Sequence, residues 1–272
     1  MRHFNRTVTI LVFIFLYIPM IVLAVASFNT GLDIATFKSF TFRQYGNLFK
    51  DEALLRLLGN SLLVAILASL ISTFFGTIAA VGIHSMKGRM RKAVMSLTNI
   101  PMTNPDIVTG VALALLFAFT GAALKINSIL GFWTLLIAHI TFDLPYVILN
   151  VMPKLQQMDP DLQEAALDLG CTPFQAFTKV VIHEIMPGVL SGALMAFTMS
   201  LDDFVISYFV TGSQFITLPV EIYNYVKKPI QPKIYALFTL MFAVILLLMV
   251  VMNLMQARSE KRMQAGGKRR GH

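Results

Sequence analysis

The segment EAALDLGCTPFQAF, residues 164–177, is polar and contains a glycine and a proline, yet two strongly apolar stretches flank it. The chain of 272 residues is 56% hydrophobic and only 13% charged, whereas a soluble domain carries about 25% charged residues. This composition is typical of a membrane protein with several spans. A single cysteine, Cys171, excludes an internal disulfide and a CxxC metal site.

Six apolar stretches are long enough to cross a bilayer, which takes about 20 residues in a helix. They cover residues 8–28, 60–83, 93–120, 131–152, 185–211 and 234–256. The first stretch is longer than the apolar part of a signal peptide, so we expect it to be retained. We therefore predict an all-α protein with a short N-terminal segment (1–7), a six-helix transmembrane domain (8–256) and a basic tail (257–272).

The basic residues predict the orientation in the membrane. They cluster before the first stretch, in the connection 84–93 after the second, and in the tail. With six crossings these regions share one side, and the positive-inside rule places both termini in the cytoplasm. Residues 29–59, which we expect to hold a short surface helix, then lie outside, together with 121–130 and 212–233. The net charge of +8 favours contact with anionic membrane lipid.

The loop 153–184 between the fourth and fifth stretches reads as two short helices. Asp159 can cap the first helix, with Pro160 at its first position, and Gly170 can end it. Thr172 and Gln175 fit a capping box for the second. Such a loop is either a folded segment on the membrane surface or a knob that docks into a partner. The apolar faces we expect are Leu162, Ala165, Ala166 and Leu169 on the first helix, and Phe174, Phe177 and Val181 on the second.

A nucleic-acid partner is excluded for this loop by its charge. It carries five acidic residues against two lysines, a balance that repels phosphates.

The order EAALDLG, TPFQAF and IHEIMP (164–170, 172–177 and 182–187) resembles the EAA loop of ATP-binding-cassette (ABC) importer permeases. NPDIVTG (104–110) and SLDDFVISYFVTG (200–212) narrow the resemblance to the spermidine/putrescine branch, and it extends over nearly the whole chain. The resemblance implies a type I ABC importer permease fold with cytoplasmic coupling helices, in a bacterial inner membrane. His183 stands where the family usually has a proline, so we expect the second loop helix to run straighter into the fifth span.

The resemblance also implies partners and roles. In the family this loop sits in a cleft of a cytoplasmic ATPase, so Glu164 would face the ATPase, Ala165 and Ala166 would allow close packing, and Gly170 would permit the turn. The implied partners are a second homologous permease, two ATPase subunits and an extracytoplasmic polyamine-binding protein. The chain has no P-loop sequence. We therefore expect ATP and Mg²⁺ on the partner ATPase and no cofactor on this chain.

Four carboxylates lie within the predicted spans, whose cores contain no lysine or arginine: Asp106, Asp143, Asp202 and Asp203. An ionised side chain at the centre of a membrane helix costs about 2.5–3.5 kcal/mol. These acids should therefore face a polar interior, be neutral, or meet a cation. Independently of any family, they favour a positively charged substrate.

In the fifth span, small and polar residues recur every three or four positions, and Asp203 lies on this stripe. We predict Asp203 in the substrate path and Asp202 in a supporting role at a subunit contact. The alternative is a buried acid held by hydroxyls or backbone. Tyr208 could offer a cation–π surface or be an interfacial aromatic residue.

Two other acids have local partners. We expect Pro101 to break the third span and a new helix to begin at Asp106. An acid in the first turn of such a helix is compatible with either a structural or a substrate-binding role. His139 and Asp143 are four residues apart, so we expect them to hydrogen-bond on one helix face.

No catalytic or metal site is predicted. HEIMP (183–187) begins like a zinc-binding HExxH motif but ends in Pro187. We interpret the chain as a polyamine permease subunit without enzymatic activity. The alternatives are a permease for another solute, such as ferric iron or thiamine, and a secondary cation transporter or proton relay that uses Asp143, Asp202 and Asp203 without an ATPase.

Overall fold

The computed structural model describes residues 2–31, 36–126, 128–159, 161–226, 233–247 and 250. Within these ranges the chain is helical, and its only β-type contact is an isolated antiparallel bridge between Asn29 and Phe40. The predicted all-α class is confirmed. Pro160 and the predicted tail 257–272 lie outside the described residues.

The helices follow one another with short connections. In chain order they are α1 (Arg2–Ser27), α2 (Arg43–Lys50), α3 (Glu52–Ser85), α4 (Gly88–Thr103), α5 (Asp106–Leu124), α6 (Phe132–Gln157), α7 (Asp161–Asp168), α8 (Pro173–Ala176), α9 (Ile182–Asp202), α10 (Val205–Val210), α11 (Leu218–Val226) and α12 (Lys233–Leu247). A π-helical segment, Phe177–Val181, joins α8 to α9.

Five helical segments are long and apolar enough to cross a membrane. They are Arg6–Ser27, Glu52–Ser85, Asp106–Leu124, Phe132–Gln157 and Pro173–Asp202. Each overlaps one of the first five predicted spans. The shorter apolar helix α12 begins where the sixth span was predicted, and part of that span lies beyond the described residues.

The third predicted span, 93–120, is two helices rather than one. Helix α4 ends at Thr103 and α5 begins at Asp106. The break falls at Asn104, whose backbone is extended (ψ 136°), because a residue before proline avoids the helical region. Pro101, the expected break, remains inside α4.

The fifth predicted span, 185–211, also differs from a single helix. Helix α9 ends at Asp202, the backbone of Asp203 is extended (ψ 117°), and the helix resumes as α10 at Val205. In the other direction, the helix continues back through the π-helical segment to Pro173, a total of 30 residues. The second loop helix therefore runs directly into the fifth span, as we expected from the presence of His183 where the family usually has a proline.

Contacts between helices group the chain into two compact units. The larger is Leu57–Ile222, and in it α6 packs along α9. Gly192 of α9 allows this approach, because a Cβ atom there would lie 3.2 Å from the Val147 Cα atom. Gly76 of α3 lies against the same residue of α6, since a Cβ atom there would lie 2.7 Å from Val147 Cγ1. The core of this unit therefore forms around α6.

The other unit comprises Met1–Arg56 and Tyr223–His272. The surface helix predicted within 29–59 is α2. Lys233 Nζ donates a hydrogen bond to Asp51 Oδ2 at 2.7 Å. This bond from the Lys233 ammonium lowers the pKa of the Asp51 carboxyl below its ordinary value.

Candidate functional site

The first helix of the loop 153–184 has the two ends that the sequence predicts. The Asp161 N–H donates to Asp159 Oδ1 at 3.1 Å, which places the cap before α7. At the other end Gly170 has a φ of +86°, in the left-handed region that favours glycine. The Cys171 N–H donates to the Ala166 carbonyl at 3.1 Å and closes the helix.

The second helix begins at the predicted capping box. The Gln175 N–H donates to Thr172 Oγ1 at 3.3 Å, and the Thr172 N–H donates to Gln175 Oε1 at 3.0 Å. The predicted pair of capped helices is therefore confirmed.

The predicted apolar faces of these helices are only partly packed. Ala166 and Val181 are buried. Leu169 is 87% exposed and Phe174 is 75% exposed, so these two members of the predicted apolar faces do not pack against the described part of the chain. Glu164 is exposed as well. Each helix thus rests on the chain through a few residues and leaves most of its surface uncovered.

The intramembrane polar residues meet where α6 passes α9 and α10. Five of them form one hydrogen-bonded chain, which we call the buried network: Asp143, Ser200, His139, Ser207 and Asp203. His139 Nδ1 lies 3.0 Å from Ser200 Oγ, and Nε2 lies 3.0 Å from Ser207 Oγ. Ser200 Oγ donates to Asp143 Oδ2 at 2.7 Å, and Ser207 Oγ donates to Asp203 Oδ2 at 2.9 Å.

The expected direct hydrogen bond between His139 and Asp143 is wrong. The two residues do lie on one face of α6, but Ser200 of α9 lies between them and bonds both. Asp143 is fully buried, and among the described residues its Oδ1 atom has no hydrogen-bond partner. An unsatisfied polar atom in a low-dielectric interior costs free energy. The rest of the network is therefore important for holding this carboxyl group.

Asp203 is held from several directions. Its carboxylate accepts from the backbone N–H groups of Ile206 (3.2 Å) and Ser207 (2.7 Å), so it caps the start of α10. His139 Nε2 lies 3.5 Å from Asp203 Oδ2, and the Asp203 side chain is only 9% exposed. This is the geometry of the alternative in which hydroxyls and backbone hold a buried acid. The role of Asp203 in a substrate path stays a prediction.

The remaining candidate residues are more accessible. Asp202 is exposed at the end of α9, and Asp106 is exposed in the first turn of α5, where the predicted helix restart is confirmed. Tyr208 is 45% exposed, and its ring lies 5.5 Å from that of Phe204. The structure therefore brings Asp143 and Asp203 together and leaves the other three on the surface of the chain.

Tyr146 was not predicted from the sequence as a member of the site. The hydroxyl of Tyr146 on α6 lies within electrostatic range of both Asp106 and Asp143. Its spacing of three residues from Asp143 on a helix was the signal that could have identified it.

No metal centre accompanies these residues. In the part of the chain that the structure describes, no group of three or more His, Cys, Asp or Glu side chains is arranged to hold a metal ion.

Comparison with known sequences identifies relatives along nearly the full length. Residues 72–265 match the family described as binding-protein-dependent transport system inner membrane component. The chain is 36% identical over 248 residues to the spermidine/putrescine transport system permease protein PotC of Haemophilus influenzae, covering 91% of this chain and 94% of PotC. It is 36% identical over 256 residues to the putrescine transport system permease protein PotI of Escherichia coli, covering 93% and 91%.

Solved structures show the same fold. A chain of a bacterial alginate ABC transporter, in complex with an alginate pentasaccharide-bound periplasmic protein, matches with a TM-score of 0.69 and 16% identity, covering 96% of this chain and 94% of that one. A chain of the MetNI methionine ABC transporter matches with a TM-score of 0.55 and 17% identity, covering 78% and 98%. The predicted importer-permease fold is confirmed. Since the family match spans most of the chain and five of its described helices are long and apolar enough to cross a membrane, this multi-pass protein belongs to the family of binding-protein-dependent transport system inner membrane components.

Proposed function

We propose that this chain is one of two permease subunits of an ATP-driven importer that carries spermidine or putrescine across a bacterial cytoplasmic membrane. The observation that carries the proposal is the 36% identity to PotC and PotI over more than nine-tenths of each chain. The acidic residues of the membrane region support it, because polyamines are cations and carboxylates attract them.

The proposed assembly contains a second homologous permease, two ATPase subunits that bind ATP and Mg²⁺, and an extracytoplasmic polyamine-binding protein. The positive-inside rule supports cytoplasmic termini and a cytoplasmic loop 153–184. This loop would face the ATPase, with the exposed Glu164 and Ala165 available for contact. The buried Ala166 and the left-handed Gly170 shape the turn.

The continuous helix Pro173–Asp202 supports a coupling role for the loop. At 1.5 Å per residue, its 30 residues extend about 45 Å, which is more than the thickness of the hydrocarbon core. One end belongs to the loop, and the other ends beside Asp202 and Asp203. Movement of the ATPase would therefore reach the acids of the fifth span through a single helix.

For the path itself, we assign distinct roles to the acids. Asp106, Asp202 and the ring of Tyr208 are accessible and would contact the ammonium groups of the substrate. Asp143 is buried, and the Asp203 side chain is only 9% exposed. These two acids would not contact the substrate but would fix the helices and add negative potential.

Uptake by the complete importer in lipid vesicles tests the proposal. We expect accumulation of radiolabelled putrescine or spermidine that requires ATP and the binding protein. Unlabelled polyamine should compete, whereas ferric iron and thiamine should not, and a protonophore should not abolish uptake. Uptake by this chain alone that ignores ATP and collapses with the protonophore would instead identify a secondary transporter.

A charge-reversal variant tests the coupling role of the loop 153–184. We expect Glu164→Lys to insert normally and to leave ATP hydrolysis no longer coupled to uptake. Glu184→Lys makes the same charge change at another exposed position of the loop and serves as the control. Normal uptake by Glu164→Lys would refute the coupling role.

A further inference from the structure

The break in the fifth span is bridged by one imidazole from another helix. His139, on α6, is 2% exposed and bonds Ser200 near the end of α9 through Nδ1 and Ser207 in α10 through Nε2. Between these two serines the backbone leaves the helix at Asp203. His139 is therefore placed to fix α10 relative to α9.

The number of protons in the buried network follows from its hydrogen bonds. Four bonds join its five members in sequence, from Asp143 through Ser200, His139 and Ser207 to Asp203. Each bond needs one proton. Two ionised carboxylates, two hydroxyls and a neutral imidazole supply only three. The intact network therefore contains one additional proton. While both serine hydroxyls donate to carboxylates, this proton lies on the ring of His139 as imidazolium; if Asp143 carries it instead, the two bonds of Ser200 reverse their direction.

We propose that His139 is a positioning residue for transport, which braces the broken fifth span and orients the Asp203 carboxylate only while the buried network holds this additional proton. The inference rests on the proposed function, because the step that His139 affects is a step of polyamine transport. It goes beyond that function by naming the contacts that keep Asp203 in place.

The surroundings of the ring support this role. The network joins His139 to two titratable groups, Asp143 on the same helix and Asp203 at the break. Helices α9 and α10 face the ring with the hydroxyl groups of Ser200 and Ser207. Asp202 and Tyr146 flank these carboxylates. Loss of the additional proton leaves one of the four bonds without a donor, so the brace opens as the pH rises.

The test uses the complete importer in vesicles and the variant His139→Gln. A glutamine amide has no titratable proton. Both of its N–H donors are on one nitrogen and its oxygen can only accept, so it cannot donate to two serines that lie at opposite ends of the His139 ring. We expect about tenfold lower maximal uptake with the half-saturating polyamine concentration unchanged, because the lost interactions affect a step after binding. Wild-type uptake should also fall toward alkaline pH in a one-proton step that His139→Gln lacks.

Matched controls separate this device from general damage. His84→Gln changes a half-buried histidine at the end of α3, outside the network, and should keep the wild-type pH profile. Ser207→Ala combined with His139→Gln should be no worse than the poorer single variant, because both remove the same link. Thr198→Ala, which affects a hydroxyl bonded within α9, should add independently to His139→Gln.

A readout that does not involve transport keeps the two proposals apart. The thermal unfolding midpoint of the purified complex should decrease with rising pH in the wild type and less so in His139→Gln. If wild-type vesicles transport no polyamine, the proposed function fails and this comparison still decides the inference. Identical pH profiles of both midpoint and uptake in the two proteins, or additive effects of His139→Gln and Ser207→Ala, would overturn it.

Discussion

Gly188 shows how little room separates α6 from α9. A Cβ atom at this position would lie 2.9 Å from the Asn150 carbonyl oxygen and 2.8 Å from Lys154 Cγ. The lysine side chain can move aside, but the carbonyl belongs to the backbone of α6. We expect Gly188→Ala to lower the free energy of unfolding by about 1–3 kcal/mol, the usual range for overpacking, measured by thermal or denaturant unfolding in detergent.

Gly82→Ala is the control for this substitution. It lies inside α3, and its Cβ would meet no atom within 4 Å. Alanine should therefore stabilise the helix by about 0.5–1 kcal/mol through its higher propensity. Equal stability of Gly188→Ala and Gly82→Ala would contradict the close packing of α6 on α9.

At the same scale, the sequence predicted the local features of the loop and missed the distant ones. The caps at Asp159 and Thr172 and the turn at Gly170 depend on neighbours within a few residues, and all three were confirmed. The bridge made by Ser200 depends on the pairing of α6 with α9, which local spacing does not encode. The exposure of Phe174 could not be predicted for the same reason, since a helical period shows which residues share a face but not what covers it.

Among the helices, the two breaks were the main difference from the predicted spans. Polar residues stand at both breaks, Asn104 and Asp106 at the first and Asp202 and Asp203 at the second. A hydropathy window averages over them, so it cannot detect that the helix is interrupted there. Pro105 was the available signal for the first break. The second has no proline and depends on the Asp203 carboxylate, which bonds the N–H groups of α10.

The π-helical segment Phe177–Val181 offers a test at this scale. Its wider turn, in which the Ile182 N–H donates to the Phe177 carbonyl, accommodates one more residue than an α-helix would. Deleting Thr178, an exposed member of the segment, should convert the wide turn into an ordinary α-helical turn, so that the loop keeps nearly the same orientation about the axis of α9.

For this deletion we expect unchanged helix content by circular dichroism and retained ATP-driven uptake in vesicles. Deleting Leu190, an exposed residue inside α9, removes a residue where no wide turn can absorb the change, so it should rotate the loop by about 100° relative to the rest of α9 and abolish uptake. Equal uptake by the two deletion variants would contradict a role for the orientation of the loop about the helix axis.

At the scale of the whole chain, one ion pair joins segments that are far apart in sequence. Asp51 and Lys233 are separated by 182 positions and meet at 2.7 Å. Because the pKa of Asp51 is lowered in the folded state, the pair stabilises the protein above the pKa of the unfolded aspartate, about 3.9. This stabilisation is lost as the pH falls through the lowered value.

The pair is partly exposed, so we expect Asp51→Asn to cost less than about 1 kcal/mol at neutral pH. The difference in thermal midpoint from the wild type should shrink in strongly acidic buffer and in high salt. A difference that stays constant from neutral to acidic pH would contradict this assignment.

Family membership and the approximate number of spans could be predicted from the sequence because they depend on composition and on a few motifs. The arrangement of the acids could not. Asp143 and Asp203 lie far apart in the chain and meet only because α6 passes the break in the fifth span. Asp106 and Asp202, by contrast, remain on the surface at helix ends.

The uninterrupted helix Pro173–Asp202 also limits how far its ends must travel. For a rod of about 45 Å, a tilt of about 5° about one end displaces the other by about 4 Å. That distance is comparable to the diameter of an alkyl chain. A narrow gate could thus be opened and closed by an angular change too small to disturb the caps at either end.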